Sequence, residues 1–366
     1  MLDFSIRVII IKHRMVLCLL SIFMCCGWVA AQTGEEVRGK VEEAIIYIDK
    51  GEIEKALMVL NEISNLSPDA TTIEYQKALS LHIEKKYQES IEVIKTLLNK
   101  KDVFYQLYQL MGNNYDRTGE SKKAIKYYNL GIKKFPNAGR LYLEKGRVMD
   151  AMGLKEEAQK VWEEGILSDP YFSSNYYVIT KAFATGLEKI WAIYYAEMFL
   201  NLEPYTDRSD EISKLLYDTY RQCLPMVAGK RIISFSNKAK NFSAESEEDY
   251  KLSFETTHHL AMLHCVEVLE GEVNISDLAI LRRQFVEEWN NRYAMLYPNV
   301  IFSYHELIKK YDFTEAYMYW MLRSGHKEEF DRWKEMNTTY YFDFLSWIRE
   351  NPIMIIQENQ LTRQEL

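Results

Sequence analysis

Proline and glycine are both scarce in this sequence. Its 366 residues include 7 prolines and 15 glycines, roughly 2% and 4% against typical values of about 5% and 7%. An all-β sandwich or barrel needs turn residues at short intervals, so this composition argues against one. Because residues that interrupt helices are few, the composition favours an all-α fold.

Positive charge is also in short supply. Lys and Arg total 45 against 53 Asp and Glu, which gives a formal net charge of −8. A nucleic acid is therefore not expected as the main partner, because proteins that bind one carry a basic surface. The content of 48% hydrophobic and 13% aromatic residues excludes disorder for most of the length. These numbers describe a folded, acidic protein.

The N-terminal residues have the three parts of a secretory signal peptide. Three cationic side chains precede an apolar run over about residues 15–24, and the small-residue pattern Val29-Ala30-Ala31 follows. We therefore expect residues 1–31 to be a signal peptide and the mature protein to begin at Gln32. A retained N-terminal anchor is the alternative, although the stretch is at the short limit for a spanning helix. A lipoprotein is disfavoured because methionine precedes Cys25.

A period of 34 residues runs through the next part of the sequence. It is shared by Pro68, Pro136, Pro170 and Pro204, by Gly51, Gly119 and Gly153, and by the small residues Ala56, Ser90, Ala124, Ala158 and Ala192. Three residue classes with one period indicate stacked units, here 37–70, 71–104, 105–138, 139–172 and 173–206. Apolar residues recur at helical spacing on two stretches of each unit, so we expect each unit to be a pair of helices.

In this register the sequence resembles the tetratricopeptide repeat (TPR) family, whose unit is a 34-residue helix-turn-helix. The third unit fits best, with Tyr108, Met111-Gly112, Tyr115, Ala124, Tyr128, Gly131 and Pro136. We expect the small residues Gly112 and Ala124 to let two helices approach, with aromatic side chains packed beside them. The resemblance implies a TPR-type α-solenoid of about five repeats over 37–206, similar to exported bacterial TPR-repeat proteins.

In proteins of this family the first helix of each unit lines a concave groove that binds a peptide or protein. The resemblance places these side chains in the groove: Tyr75, His82, Gln106, Gln109, Asn113, Asp116, Arg140, Leu143, Arg147, Asp150, Tyr177 and Lys181. Their mixed charge and amide groups suit an extended backbone or acidic side chains, and an ordinary solvated face is the equal alternative. One variant of the family clamps a C-terminal carboxylate with Lys and Asn. That clamp is missing here, where Gln109, Glu144, Ser174 and Val178 stand instead.

Residues 207–366 carry no clear repeat, and we expect them to form a C-terminal aromatic-rich helical domain. Helices are predicted at 211–224, 250–269, 276–297, 313–322, 327–336 and 340–349, with the polar stretch 229–248 as a linker or long loop. The many aromatic residues between 311 and 347 predict either a packed core or an exposed surface for a protein or sugar. Cys223 and Cys265 are expected either to form a disulfide or to be two buried thiols.

Motifs for catalysis and metal binding are incomplete. His305-Glu306 begins a zinc signature, but Lys309 replaces the second histidine ligand. Glu255 and His258 have a spacing that places two ligands on one helical face, and with the adjacent His259 they are the candidates for an enzyme site. We expect no metal and no cofactor.

The sequence is therefore interpreted as a non-catalytic protein–protein interaction scaffold or adaptor in the bacterial cell envelope, in the periplasm. The partner is expected to be a protein or peptide held in the groove of the repeats. After signal cleavage we expect no membrane span. The alternatives are a surface glycan-binding receptor and an enzyme with its site in the C-terminal helical domain.

Overall fold

The computed structural model describes residues 31–64, 71–238, 252–269 and 271–363, and its helices confirm the all-α fold class. The chain divides into two compact units, Met1–Phe135 and Pro136–Leu366, which are the first and the second unit of the structure and each contain several 34-residue repeats. The five expected helix pairs occur between residues 31 and 202, and a further helical region follows. Apart from its last residue, the predicted signal peptide lies outside the described residues. Within those residues, no helix has both the length and the apolar character needed to cross a bilayer.

Three helix pairs make up the described part of the first unit. They are α1 (Ala31–Asp49) with α2 (Ile53–Ser64), α3 (Thr71–Ile83) with α4 (Tyr87–Leu97), and α5 (Tyr105–Arg117) with α6 (Ser121–Lys134). A residue of positive φ separates the helices of each pair, namely Gly51, Lys85 and Gly119 at 76°, 62° and 79°. Each donates its N–H to the carbonyl three residues back, and the next N–H bonds five residues back. Lys85 thus forms the turn at the position where the 34-residue period has no glycine, although its backbone conformation is one that favours glycine.

Close approach of the two helices in a repeat depends on glycine. A Cβ at Gly112 would lie 2.3 Å from Cε1 of Tyr128, well inside van der Waals contact. In the second unit a Cβ at Gly146 would lie 2.2 Å from Nε1 of Trp162. Ala124, Tyr128 and Trp162 are all buried, so these repeat residues pack as predicted.

Two more pairs open the second unit. They are α7 (Gly139–Ala151) with α8 (Lys155–Ser168) and α9 (Ser173–Ala184) with α10 (Lys189–Leu202), and α11 (Asp207–Cys223) follows them. Thr206 caps α11 by accepting from the Ser209 N–H, and the Ser209 hydroxyl accepts from the Thr206 N–H. Because α11 begins 34 residues after α9, the period continues for one helix beyond the residue where we expected it to end.

A hairpin and further helices complete the second unit. The elements are β1 (Met226–Val227) paired antiparallel with β2 (Lys230–Arg231), then α12 (Phe254–Leu263), α13 (Ile275–Arg292), α14 (Val300–Lys310), α15 (Thr314–Leu322), α16 (Lys327–Met336) and α17 (Thr338–Glu350). The helices predicted at 211–224, 313–322, 327–336 and 340–349 are confirmed as α11, α15, α16 and α17. The sequence reasoning missed α14.

Of the predicted linker or long loop at 229–248, the part that the structure describes is mostly a loop, and it packs against the core instead of forming an exposed linker. Residues 230–231 form a strand, and Ile233 and Phe235 are 7% and 2% exposed. Two apolar side chains within a polar stretch are enough to fix this segment against the core. Residues 239–248 lie outside the described residues.

Two predicted helices have different bounds in the structure. The long helix predicted at 250–269 is shorter, since α12 ends at Leu263 and a 3₁₀ turn follows at Val266–Val268. The helix predicted from Ser276 begins at Ile275, and its cap is Asn274, whose side-chain oxygen accepts from the Asp277 N–H at 2.9 Å. Asparagine and serine are both good cap residues, and tertiary packing decides between such neighbours as Asn274 and Ser276. This helix ends at Arg292 and not at residue 297 as predicted.

The aromatic residues of the C-terminal helices form a packed core, which confirms the first of the two interpretations. Tyr317, Trp320 and Phe344 are 1%, 2% and 0% exposed, whereas Tyr311 and Phe342 are half exposed. One hydrophobic cluster includes side chains from α8 through the C-terminal segment, and a domain boundary at residue 207 stays a prediction.

The two cysteines of the second unit are both buried thiols. Cys223 and Cys265 are not joined in a disulfide, and they are 0% and 2% exposed. Of the two alternatives left open by the sequence, the structure therefore has the buried thiols.

Candidate functional site

The first helices of the first unit present a polar face. On α5, the side chains of Gln106, Gln109, Asn113 and Asp116 are all partly exposed, and their spacing of three or four residues places them along one side of the helix. The Tyr128 hydroxyl donates to Asn113 Oδ1 at 2.7 Å. This row therefore offers amide donors and acceptors beside one carboxylate.

Tyr75 and His82, the predicted site residues on α3, are tied to neighbouring side chains of the same unit. The Tyr75 ring packs edge-on against Phe104 with centroids 5.2 Å apart. His82 Nδ1 lies 2.7 Å from Oδ1 of the buried Asn114, which donates in turn to Ser90 Oγ at 2.8 Å. Both residues stay partly exposed, so they combine packing with access to solvent.

In the second unit, two arginines project from the first helix α7. Arg140 and Arg147 are both exposed, as is Asp150. The Arg140 guanidinium lies over the Phe172 ring, 5.4 Å from its centroid, and Arg147 Nη1 lies 3.5 Å from a Glu144 carboxylate oxygen. Among the described residues, no carboxylate lies within ion-pair distance of Arg140.

Leu143 does not belong to an accessible groove, and its prediction as a groove residue is wrong. The side chain is 2% exposed, and its backbone carbonyl accepts from Trp162 Nε1 on α8 at 3.2 Å. An apolar side chain at this position gains more from burial than from exposure on the helix face.

On α9, Tyr177 and Lys181 bond to Glu211 of α11, a residue outside the predicted site. The Tyr177 hydroxyl donates to Glu211 Oε2 at 2.5 Å and Lys181 Nζ donates to Oε1 at 2.6 Å. This hydrogen bond to Glu211 raises the pKa of Lys181. Arg208, also on α11, pairs with Glu203 and lies 5.0 Å from the centroid of the Tyr177 ring. Lys181 and Arg208 therefore already have carboxylate partners.

Sequence spacing could have identified Glu211. It follows Tyr177 by 34 residues, as Arg208 follows Ser174, and the Arg208 guanidinium donates to Ser174 Oγ at 3.1 Å. Extending the register by one helix past residue 206 would have placed both residues on the same face.

A buried ionic cluster, made of Glu197, Arg282, His305, Tyr220 and Tyr317, was not anticipated from the sequence. Glu197 accepts from Arg282 Nη1 at 3.1 Å, from the Tyr317 hydroxyl at 2.8 Å and from His305 Nε2. Arg282 also donates to the Tyr220 hydroxyl at 2.7 Å. A signal was present, because Glu197 is the single charged residue between Ile190 and Leu202.

The charges of this cluster stabilise one another. Burial by itself would raise the pKa of Glu197, but the Arg282 guanidinium, His305 and the Tyr317 hydroxyl together outweigh that effect, and the pKa falls to about 2 from its ordinary value of 4.5. Burial lowers the pKa of His305, so the imidazole is neutral at pH 7. Since Glu197 is 1% exposed and bonded to three side chains, its chemistry is structural. It joins α10 to α13, α14 and α15.

Glu255 and His259, two of the enzyme candidates, do not form an open site. Glu255 is 4% exposed and accepts from Trp191 Nε1 at 3.2 Å and from Lys238 Nζ at 2.9 Å. His259 is partly exposed. Both donors contact Oε1, and a buried carboxylate held by an indole and an ammonium group serves packing.

His258, the third enzyme candidate, lines a small enclosed cavity. The cavity has a volume of about 20 Å³, and its polar lining comes from His258, Tyr194, Tyr220 and Arg282. That volume accommodates about one water molecule and no substrate. Burial lowers the pKa of His258 to about 3, so the ring is neutral. Across the described residues, no three His, Cys, Asp or Glu side chains converge as a metal site requires.

Comparison with known proteins identifies the repeat. The tetratricopeptide repeat family matches residues 105–134, which are α5 and α6. The chain contains a tetratricopeptide repeat. Outside this repeat, the turn with a residue of positive φ recurs at Gly51, Lys85 and Gly153, and the close approach of two helices at a glycine recurs at Gly146.

Several solved TPR structures are similar to about half of this chain. A TPR protein named YrrB, described as having an unusual peptide-binding site, is 16% identical, with 49% of this chain and 93% of that chain covered and a TM-score of 0.34. PilF of Pseudomonas aeruginosa is 15% identical, with 51% of this chain and 85% of that chain covered and a TM-score of 0.43. A thermophilic TPR protein of Thermus thermophilus is 13% identical, with 49% of this chain and 98% of that chain covered and a TM-score of 0.41. No curated protein matches the sequence.

Proposed function

We propose that this TPR protein is a non-catalytic scaffold that binds an acidic, extended segment of another protein on the first-helix face of α7, α9 and α11. Stacked helical repeats provide long surfaces for such partners. The observation that carries the proposal is the pair of exposed arginines on α7, Arg140 and Arg147. In a chain with a net charge of −8, two adjacent exposed cations favour an anionic ligand at this place.

The spacing of the two arginines suits an extended peptide. Seven residues of α-helix separate them, which corresponds to about 10 Å along the helix axis. A polyproline II chain has three residues per turn and rises about 3.1 Å per residue, so side chains three positions apart share a face about 9 Å apart. Two carboxylates at that spacing in a partner of this conformation reach both guanidinium groups, and guanidinium–carboxylate pairs are among the stronger hydrogen-bonded contacts.

The neighbouring helices define one end of this site. On α9 and α11, Lys181 is paired with Glu211 and Arg208 with Glu203. On α7, Arg147 has a longer contact of 3.5 Å with Glu144, and Arg140 has no carboxylate within ion-pair distance among the described residues, so Arg140 attracts an acidic partner most strongly. Arg140 is also held in place by Phe172, which lowers the entropy lost when it binds. We therefore infer that α7 anchors the partner and that α9 and α11 provide polar contacts.

We further propose that the protein acts in the bacterial cell envelope, in the periplasm. The support is the signal-peptide pattern of residues 1–31. Sequencing the N-terminus of the protein purified from its own cells tests this proposal. We expect Gln32 as the first residue, and a chain that retains residues 1–31 would contradict cleavage.

The binding proposal is tested by reversing the charge of the α7 pair. The Arg140→Glu, Arg147→Glu variant should fold normally, because both side chains are exposed. It should capture the partner from an envelope extract at least tenfold less well at low salt, since like charges then oppose each other. The loss should shrink as salt is added.

A matched variant controls for the change in net charge. Lys155→Glu with Arg349→Glu reverses two exposed charges on α8 and α17, and a glutamate in the first turn of α8 is compatible with the helix dipole. This variant should capture the partner like the unchanged protein. Equal capture by both variants would contradict the proposed face, and binding to an oligosaccharide array would favour the glycan receptor instead.

A further inference from the structure

The C-terminal segment of the chain lies on the repeats as an extended peptide. After α17 ends at Glu350, residues 351–363 continue with a single 3₁₀ turn at Gln357–Asn359. Burial alternates along the first part, with Ile353 and Ile355 5% and 6% exposed and Met354 and Ile356 65% and 54% exposed. This period of two is typical of an extended chain with one face in a groove. We call residues 351–363 the tail.

A tyrosine of the repeats forms hydrogen bonds with the backbone of the tail. Tyr171, in the turn between α8 and α9, accepts from the Ile355 N–H at 3.0 Å and donates to the Ile355 carbonyl at 3.2 Å. Further along, the Gln360 side chain donates to the Leu167 carbonyl at the end of α8 at 3.2 Å. Contacts to backbone atoms recognise an extended peptide in any sequence, and the buried Ile353 and Ile355 add side-chain selectivity.

The end of the described tail adds a charged anchor. Arg363 Nη2 lies 3.3 Å from Glu163 Oε2, and its guanidinium lies 5.2 Å from the centroid of the Phe183 ring. The Arg363 N–H also donates to the Tyr195 hydroxyl at 3.2 Å, while that hydroxyl donates to Glu163 Oε1 at 2.8 Å. Glu163 is 0% exposed. A buried carboxylate aligned with a tyrosine makes a specific receptor for an arginine.

We propose that the groove on α8, α9 and α10 is a second peptide-binding site, which the tail occupies as a displaceable ligand of the same chain. The ligand class is an extended peptide of another protein, with two branched apolar residues at alternate positions and an arginine eight residues after the second. The site shares no residue with the arginine pair on α7, because the tail contacts α8, α10, the Tyr171 turn, Phe183 of α9 and, at Asn351, the Tyr304 hydroxyl of α14. Each proposal can therefore fail without the other.

The tail competes with such a partner through its high effective concentration. A tethered ligand acts at about millimolar concentration, so a tail whose intrinsic Kd for the empty groove is about 10 µM weakens the binding of any competing peptide about a hundredfold. Partners that bind in the groove must displace the tail, which keeps the groove covered until one is present.

The direct test uses a fluorescent peptide of residues 351–366. A chain that ends at Glu350, with its helix content checked by circular dichroism, should bind this peptide, and the full chain should bind it at least tenfold more weakly. Peptides with Ile355→Ser or Arg363→Glu should lose at least tenfold in affinity for the shortened chain. The Met354→Ser peptide is the control and should bind normally, because Met354 is 65% exposed.

A second test keeps the full chain and does not depend on folding of the shortened one. Full-length Ile355→Ser should loosen its own tail and bind the unchanged peptide at least tenfold better than full-length Met354→Ser does. Absence of peptide binding by a folded shortened chain, or equal binding by these two full-length variants, overturns the proposal. A concentration-dependent dimer of the unchanged chain, formed by exchange of tails, would overturn the assignment of the tail to its own chain.

Discussion

Replacing Arg282 with methionine should destabilise the second unit by several kcal/mol. Arg282 and Glu197 are 6% and 1% exposed and pair at 3.1 Å. Breaking a buried pair by removal of one partner costs about 3–5 kcal/mol, because an uncompensated charge remains in the interior. The hydroxyl of Tyr220 loses its 2.7 Å contact to the guanidinium as well, which adds to the loss.

The pKa of Glu197 gives an independent magnitude. A folded-state pKa of about 2, against an ordinary value of 4.5, corresponds to about 3 kcal/mol of stability at neutral pH. Because the folded-state value is the lower one, this stability is present above pH 5 and is lost as the pH falls from about 5 to about 2. In the Arg282→Met variant that contribution is missing, so its deficit relative to the unchanged protein should shrink over the same range.

In a protein that begins at Gln32, tryptophan fluorescence reports the second unit alone. Of the seven tryptophans, six lie beyond the predicted signal peptide, at Trp162, Trp191, Trp289, Trp320, Trp333 and Trp347, and all six are in the second unit. Urea unfolding followed by fluorescence at pH 7 and at pH 3 therefore measures the free energy of unfolding of the second unit.

A double variant separates lost charge pairing from lost packing. In Arg282→Met with Glu197→Gln, position 197 is neutral and its amide can still accept from Tyr317 and His305. We expect most of the stability to return, to within about 1–2 kcal/mol of the unchanged protein. The reasoning is refuted if Arg282→Met alone unfolds within about 1 kcal/mol of the unchanged protein at pH 7, or if the double variant is no more stable than the single one.

Two other predictions concern packing. Gly112→Ala should destabilise the first unit by about 1–3 kcal/mol in urea unfolding followed by circular dichroism, because its methyl group would lie 2.3 Å from the Tyr128 ring. Gly39→Ala, with nothing within 4 Å of its Cβ, should be neutral or stabilising by up to about 1 kcal/mol, and a Gly112→Ala protein as stable as this control would disprove the close approach. Cys223 and Cys265 should react with a thiol reagent only after unfolding, since both are buried and burial raises the pKa of Cys265 to about 11. Rapid labelling of the native protein would contradict this.

The repeats were predictable because their determinants are local. The Gly112 position and the aromatic residue that fills the space beside it lie within one 34-residue unit, and the Gly119 turn needs only its own hydrogen bonds. Lys85 shows the limit of such reasoning. Its backbone adopts the turn conformation without glycine, because the helices on both sides impose it.

The C-terminal helices were less predictable because sequence spacing does not encode their contacts. Helix α14 was missed, and the helix predicted at 250–269 was too long. Both lie in the region where the 34-residue period has ended. Burial of most of α12 removes its amphipathic pattern, whereas α14 keeps one, with Ser303 and Glu306 exposed between buried residues, so its helical spacing could have identified it. Of the predicted partner-binding residues, Tyr75, Gln109, Asn113, Asp116, Arg140, Arg147, Asp150, Tyr177 and Lys181 all stay at least partly exposed, and their role stays a prediction.

The sequence by itself determined the helical class, the 34-residue unit and the positions at which small residues must face aromatic ones. These follow from periodicity and side-chain volume within about 30 residues of chain. Only the tertiary structure decided which charges meet. Glu197 and Arg282 are 85 residues apart, and Tyr171 and Ile355 are 184 apart. Contacts at such separations depend on how whole helices pack. A carboxylate can be buried without a large free-energy cost only where that packing places a guanidinium within hydrogen-bonding distance.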